Sequence, residues 1–571
     1  MRLLSRSASL LSNYVVKVTN HQLRNFAKAL SKEPMALNQE TLTGRLLLYL
    51  NIDKEQSTNP IIPATKTFKN IRQNVNHLYK LSTQEIMDIT GSLTTQNIQG
   101  TELASILKEL DVEYTLRLPE LSIRDILQLL NVYMSVAQNQ ITEYKFYNKA
   151  LNALNDSLPT LDKKELLQFI FYLGVRKKCL ESQTMLRQCQ KTMTNEFIDS
   201  LTSEELCIIC ISTFKTSTKI INKALLEKVK KYIDGNLSVL HDFPLFVTLV
   251  KTLRHNRCQD DNLLNTISYT IIFNKTYPLY TFPTICHIMA LFADYFYYDK
   301  NLFKIITQQG LEQLNDCKFV SRNVYLAHQL RAKDIKRFLW VLSMFSDLKL
   351  VNRSVLKTLF IPKIIERIDG GEINRDVASL VDITLYLWML NCHPHELVPY
   401  VFTKENVQVL RRDSKNHLRL NLLLYAILIE DPALAKTLPI KPSMVRENDY
   451  SSVFQLRKRP LFERLLKNLD KIKKDLNISK FELSYEIPHI NIVGITGYRS
   501  GGTKAVYIEV LDGYTQIRNV EFDVPVGLMA LKLRLLDQFE EGVLVVSQRE
   551  TDDMTDSELI NFLLDEIKLI C

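Results

Sequence analysis

The sequence predicts a mostly helical protein, a superhelix of helix pairs of about 40 residues each, followed by a small α/β module at the C-terminus. Three observations carry that prediction. A six-residue phrase returns at a fixed interval: Leu81-Ser-Thr-Gln-Glu-Ile, Leu121-Ser-Ile-Arg-Asp-Ile, Leu161-Asp-Lys-Lys-Glu-Leu and Leu201-Thr-Ser-Glu-Glu-Leu, each leading leucine 40 positions after the last. Glycines number only 15 in 571 residues, and strand-like alternation is rare before the last hundred. Only from Ile490 onward do apolar and polar residues alternate with the period of two that a half-buried strand requires.

Each copy of the phrase is a helix start. Its second residue (Ser82, Ser122, Asp162, Thr202) is a capping type, and a carboxylate follows three later (Glu85, Asp125, Glu165, Glu205). A capping oxygen takes a free backbone N–H of the first turn, and the carboxylate reaches back to the cap while meeting the positive end of the helix dipole. Two later copies, His241-Asp-Phe-Pro-Leu-Phe and Thr281-Phe-Pro-Thr-Ile-Cys, keep the spacing and replace the box with an early proline, which a first helical turn tolerates. A second helix completes each unit, at 145–154, 182–198, 220–233 and 262–273. Helix pairs that cannot bury their faces alone must stack on their neighbours, which gives an extended surface suited to a long ligand.

The segments follow in order. Residues 1–34 begin with the arginine- and serine-rich run Met1-Arg-Leu-Leu-Ser-Arg-Ser and have no acid before Glu33, the composition of a mitochondrial presequence. Arg24-Asn-Phe26-Ala27 has the form of a matrix-peptidase site cutting after Phe26. Residues 35–68, with Gln56-Ser-Thr-Asn-Pro-Ile-Ile-Pro, read as a linker. The repeat array spans 69–317. A change of character near 318 opens a segment to 403, in which Lys318, Arg322, Arg331, Lys333, Lys336 and Arg337 stand against Asp334 alone. Residues 404–480 bring further basic clusters at Arg411-Arg412 and Arg457-Lys458-Arg459 and a lysine-rich helix at 464–480. The module at 481–571 reads strand (490–495), glycine turn (Arg499-Ser-Gly-Gly-Thr-Lys504), strand (505–511), helix (528–539), strand (543–547), helix (556–569).

Charge and motifs exclude several functions. Six of the nine net positive charges lie in residues 1–32, which leaves +3 on the rest, so nucleic-acid binding must come from local patches. Nine cysteines at irregular spacings suit a reducing compartment. Cys207-x-x-Cys210 lacks a second ligand pair, and Cys392, His393, His395 and Glu396 form a proline-interrupted helix start; neither is read as a metal site. No run of about 18 apolar residues offers a membrane span. Ser500-Gly-Gly-Thr-Lys504 joins two strands and lacks the phosphate-loop frame, so it is a hairpin turn.

The tail carries a resemblance. Ile508-Glu-Val-Leu-Asp-Gly513, Leu531-Lys-Leu-Arg-Leu-Leu-Asp-Gln-Phe and Val543-Leu-Val-Val-Ser resemble the RAP domain. Ile335-Lys-Arg-Phe-Leu-Trp-Val-Leu-Ser-Met-Phe through His395-Glu-Leu-Val-Pro-Tyr-Val-Phe402 resembles the first FAST-kinase-like segment, and Leu420 through Pro439 the second. With the presequence and repeats, which resemble octotricopeptide-type units, the chain is similar to the FAST kinase domain-containing family. That resemblance implies a protein of the mitochondrial matrix that binds RNA and acts in processing, stability or translation of organellar transcripts, with ribosomal or RNA-granule proteins as further partners and no cofactor. Kinase activity is not expected, because the glycine-rich nucleotide loop, H-R-D and D-F-G are all missing.

The RAP fold is similar to the restriction-endonuclease core, and this adds an alternative: a metal-dependent endoribonuclease. Hydrolysis on such a core needs a first acid on one strand and E-x-K on the next, two carboxylates holding the ion while the lysine steadies the attacking water. Here the positions are Asn491, Glu509 and Leu511, with Asp512 nearby. An amide and an apolar residue at two of three posts argue against catalysis. The RNA contacts expected from position are Arg331, Lys333, Lys336, Arg337, Arg411, Arg412, Lys504, Lys532 and Arg534, cations that would neutralise phosphates. A third reading is a protein-binding scaffold of mitochondrial RNA granules or ribosome assembly.

Overall fold

The computed structural model describes residues 41–51, 78–93, 100–234, 239, 242–316, 330–373, 376–440 and 456–570. The expected presequence 1–34, most of the linker 35–68, and Lys318 and Arg322 lie outside the described residues. The protein is mostly helical and ends in a four-stranded mixed sheet. It divides into two compact units, residues 1–235 with 244–256, and residues 236–243 with 257–571.

In the first unit the described helices are α1 (Leu42–Asn51), α2 (Thr83–Ser92), α3 (Gly100–Arg117), α4 (Ile123–Ala137), α5 (Lys145–Asp156), α6 (Lys163–Arg176), α7 (Leu180–Thr192), α8 (Ser203–Thr216), α9 (Lys223–Asp234) and α10 (Phe243–Asn256). The four phrases start α2, α4, α6 and α8 by complete capping boxes, the cap accepting from the third backbone N–H and the carboxylate accepting from the cap's own N–H. Each of these helices packs on the next in the series, as α3 does on α5. Their ends repeat too: the residue after α4, α6 and α8 takes a positive φ at Gln138, Lys177 and Ser217. Core residues such as Leu130, Phe169, Ile170, Leu206 and Ile209 are fully buried between them.

One expectation needs correction here. The stretch read as linker contains α1, whose Leu46, Leu47 and Leu50 are buried. It packs on α6 and α8, with Leu50 O accepting from Gln168 Nε2 at 3.2 Å. Its run Leu46-Leu-Leu-Tyr-Leu is long enough to cover a helix face but too short to stand out against the polar residues around it.

Within the second unit helices also pack serially, through α12 (Phe282–Asp294), α14 (Ala332–Met344), α16 (Val377–Met389) and α17 (Ser414–Glu430), with α11 (Asp261–Phe273), α13 (Lys300–Asp316) and α15 (Ile361–Asp369) beside them. The C-terminal module then runs helix, three strands, helix, strand, helix: α18 (Leu461–Ile472), β1 (Lys480–Ser484), β2 (Gly494–Tyr498), β3 (Lys504–Leu511), α19 (Gly527–Leu536), β4 (Gly542–Ser547) and α20 (Asp556–Ile570). The sheet order is β1-β2-β3-β4, antiparallel except for β3 and β4, which are parallel and joined through α19.

Along β3 the side chains alternate between two environments, as strand geometry dictates. Val506, Ile508 and Val510 join Leu465, Leu469, Leu559 and Leu563 in one core, so α18 and α20 cover that face. Tyr507, Glu509 and Leu511 face the other way. The glycine turn is a hairpin, Gly501 and Gly502 at φ 98° and 84° and Arg499 N donating to Thr503 O at 2.8 Å, a conformation open to glycine at no steric cost. Two boundaries differ from the expected ones. The lysine-rich helix stops at Ile472, and of its expected residues only Lys480 reaches β1; the first expected strand starts at Gly494, which leaves Asn491 exposed ahead of it.

Candidate functional site

The face of β3 that carries Glu509 is where an acid, a second acid and a lysine gather. Glu509 lies opposite Gly494 of β2 in the ladder, and a Cβ at Gly494 would stand 2.3 Å from Glu509 Oε1. Glycine there is what makes room for the carboxylate. Lys532 comes from α19, its ammonium ion-paired with Glu509 Oε1 and donating to Ile492 O at 3.0 Å. Glu486, two residues after β1, accepts from Thr496 Oγ1 at 2.8 Å and from Lys504.

The lysine missing from position 511 is thus supplied from a helix, 21 positions later. Spacing along one strand could not reveal it. A periodic hint exists, because Lys532 falls three after buried Met529 and three and four before buried Leu535 and Leu536, which is the inward face of the helix.

The pair is closed. Glu509 and Lys532 are respectively 1% and 0% exposed, and Glu509 Oε2 has no hydrogen-bond partner. Burial pushes the Glu509 carboxyl above its ordinary range while Lys532 pulls it back; burial likewise pushes Lys532 down against the pull of Glu509. Ionised groups at this depth hold only because each neutralises the other. Among the described residues, no group of three or more His, Cys, Asp or Glu is arranged to hold a metal ion. The donor set therefore does not fit a two-carboxylate metal site as it stands.

Asp512, the second candidate acid, has another job. It pairs with Arg459, both nearly fully buried, and accepts from Tyr514 N at 2.9 Å and Thr515 Oγ1 at 3.2 Å. Arg459 also donates to Val510 O at 3.0 Å. These bonds fix the turn that leaves β3. Leu511 is buried.

Most of the expected RNA contacts serve the interior. Arg331 and Arg337 flank the fully buried Asp334, at 2.6 Å and 3.3 Å, the i±3 spacing of a helical ion pair. Lys336 donates to Ser379 Oγ at 2.8 Å and lies 3.4 Å from Asp382. Lys532 is withdrawn from solvent altogether, which corrects its expected role. Arg534, on the same helix, donates to Glu430 Oε1 at 2.6 Å and to the carbonyls of Trp388 and Met389 at 2.7 Å and 3.2 Å. It caps the C-terminal end of α16, a favourable place for a cation, and ties α19 to α16 and α17. Lys333, Arg411 and Arg412 are exposed, and Lys504 is partly exposed beside Glu486.

The loop at 391–396 also resolves. Cys392 is buried, His393 stacks on the Trp388 indole at 4.3 Å, and His395 lies 3.1 Å from Asp431. With Arg353, Lys357 and Glu396 the two histidines line a cleft of about 210 Å³. Burial holds His393 below the usual histidine range. Cys207 and Cys210 are buried in α8 as core residues.

No known protein family's profile matches this chain, and no curated protein matches it.

Proposed function

We propose that this protein binds RNA in the mitochondrial matrix and acts in the processing, stability or translation of organellar transcripts, with a superhelical repeat array and a C-terminal module of RAP type that does not itself cleave RNA. The observation that carries the reading is the serial packing of helices begun by one phrase at a fixed interval. Such packing sets equivalent turns side by side, the geometry by which repeat proteins follow an extended ligand unit by unit. Further support comes from the module's order of helix, three strands, helix and strand, and from the FAST-kinase-like and RAP-like motifs quoted above. The closed Glu509–Lys532 pair favours binding over hydrolysis.

The test is crosslinking and RNA sequencing on the mitochondrial fraction of cells expressing the full chain, with fractionation alongside. Enrichment of particular organellar transcripts, retained in Glu509→Gln, supports the reading. Absence of the protein from mitochondria overturns the reading, and its presence there without enriched RNA and with a stable protein partner replaces it with the scaffold role.

One observation favours the endoribonuclease alternative: an acid and a lysine do meet at Glu509, despite Leu511. That alternative requires the pair to open for substrate and metal. Metal-dependent cleavage of a bound transcript, lost in Glu509→Gln at unchanged RNA affinity, would establish it.

A further inference from the structure

The repeated phrase sorts charge as well as starting helices. Carboxylates occupy the first turns of α2, α4, α6 and α8. The opposite ends of α6, α8 and α10, with the loops that follow the first two, carry cations: Arg176, Lys177 and Lys178; Lys215 and Lys219; Lys251 and Arg254. No Asp or Glu occurs within 176–180, 215–223 or 251–256; Glu181, just past the first of these, pairs with Arg176 at 3.7 Å and leaves Lys177 and Lys178 as the exposed cations of that end.

Packing brings these ends together. A Cβ at Gly174 would lie 2.5 Å from Ser212 Oγ, so glycine allows the last turns of α6 and α8 to approach closely. Thr252 Oγ1 donates to Cys210 O at 3.4 Å. Phe214 meets His255 edge-on at 6.3 Å and carries the Lys251 ammonium 5.6 Å from its ring. The cations feel one another across the turns. Burial and then Lys177 hold Lys215 below the ordinary lysine range, and burial and then Lys219 do the same to His255.

The edge is also preorganised. Gln183 donates to Thr216 O at 3.0 Å and Gln190 to Lys219 O at 3.1 Å, while Gln190 and Asn256 accept from the N–H groups of Ile221 and Ile220, each at 2.8 Å. Lys219 is displayed on the loop held in this way; Lys177, Lys178 and Lys219 are exposed, and Phe214 is 39% exposed. A cation near a helix C-terminus offsets the dipole there. That accounts for one per helix end, and these ends carry two or three.

We propose that this edge of the first unit is a binding surface for single-stranded RNA, the lysines meeting successive phosphates and Phe214 offering its ring to an unpaired base. The inference rests on the RNA-binding reading and deepens it by naming the surface. Cations interleaved with an exposed aromatic are what single strands need, since every unpaired base has a face to stack. A membrane surface is disfavoured, because the exposed apolar residues Leu180, Phe214 and Ile221 stand singly between cations rather than along one amphipathic helix.

The experiment is fluorescence anisotropy of the full chain with a fluorescein-labelled, mixed-sequence single-stranded RNA across a potassium chloride series. Removing three phosphate contacts in Lys177→Gln/Lys178→Gln/Lys219→Gln should flatten the plot of log affinity against log salt by about 2, and weaken binding about 100-fold at about 0.1 M salt, at roughly 0.7 per phosphate. Phe214→Leu should weaken binding about 5- to 100-fold with the slope unchanged. Thermal melts check that both variants fold; should the triple variant melt early, Lys178→Gln alone should lower the slope by about 0.7. Wild-type binding that survives in the lysine variants, or is lost instead in Arg411→Gln/Arg412→Gln, overturns this inference and leaves the RNA reading standing. A wild-type chain that binds no RNA overturns both. Tighter capture by phosphatidylserine vesicles or polyglutamate than by RNA, lost in the lysine variants, overturns the inference in favour of a membrane or an acidic protein.

Discussion

Substituting Lys532 by methionine tests whether the Glu509 pair is closed in solution. Methionine fills most of the volume of the lysine stem, so the perturbation is loss of the ammonium rather than a cavity. What remains is a carboxylate 1% exposed, with Gly494 against it and one oxygen already lacking a partner. Breaking a buried pair from one side costs about 3–5 kcal/mol, whereas replacing both partners with residues of like volume is often near neutral. Lys532→Met should therefore be severely destabilised and Lys532→Met/Glu509→Leu should recover most of the loss. Urea unfolding followed by tryptophan fluorescence is a suitable assay, because Trp388 donates to Glu430, which Arg534 of α19 also holds. A pH series sharpens the test. In the single variant the carboxyl keeps the raised pKa that burial imposes and loses the opposing pull of Lys532. A group raised above its unfolded value contributes stability below the unfolded pKa and loses it as pH rises through the folded one. Lys532→Met should therefore gain stability from pH 8 toward pH 5, by up to about 1.4 kcal/mol per pH unit. A loss under about 1 kcal/mol, independent of pH, would refute the reasoning, because an open and hydrated pair would behave that way.

Three further substitutions have clear expectations. Gly494→Ala drives a methyl against Glu509 Oε1 and should cost about 1–3 kcal/mol, with Gly497→Ala, crowded by Phe481 and Val506, as a comparison on the same strand in the same urea assay. Arg534→Met removes the cap of α16 and leaves Glu430 buried without its guanidinium; a loss of about 2–3 kcal/mol and an altered Trp388 emission maximum are expected, and unchanged emission would contradict the Glu430 link. Ser122→Ala removes one capping oxygen, 3.2 Å from Asp125 N, and should lower stability by about 1 kcal/mol, measured by thermal melting monitored by circular dichroism.

The sequence told most where the determinants were local. A cap and its carboxylate sit three residues apart, so the starts of α2, α4, α6 and α8 were visible in four letters each. The strands β3 and β4 were visible as the short apolar runs Ala505–Leu511 and Val543–Ser547. The end of α18 was hidden because lysines continue past Ile472 through Lys480, and charged residues suit a solvated helix as well as an edge strand. What stops the helix is a turn with Asn477 at φ 53°, beyond which Ser479 N bonds Tyr498 O at 2.7 Å. That partner lies 19 residues away, out of reach of any local pattern. Lys532 was misplaced for the same reason. Its counter-ion stands on a different element, and a lysine in a leucine-rich helix looks like a surface residue until the opposing carboxylate is known.

That misplacement changes where an RNA surface can be sought. A count of cations favours residues 331–337 and the C-terminal module, yet Asp334, Asp382, Glu430 and Glu509 pair with five of those cations. A cation whose charge is spent on a buried carboxylate cannot release counterions from a phosphate without first exposing that carboxylate, at a cost of several kcal/mol. Exposed cations in a stretch without acids carry no such cost. Among the described helix ends, those of α6 and α8 carry exposed Lys177, Lys178 and Lys219. Charge reversal at Arg331 and Arg337 should therefore lower stability more than RNA affinity, and neutralising the three lysines should do the reverse.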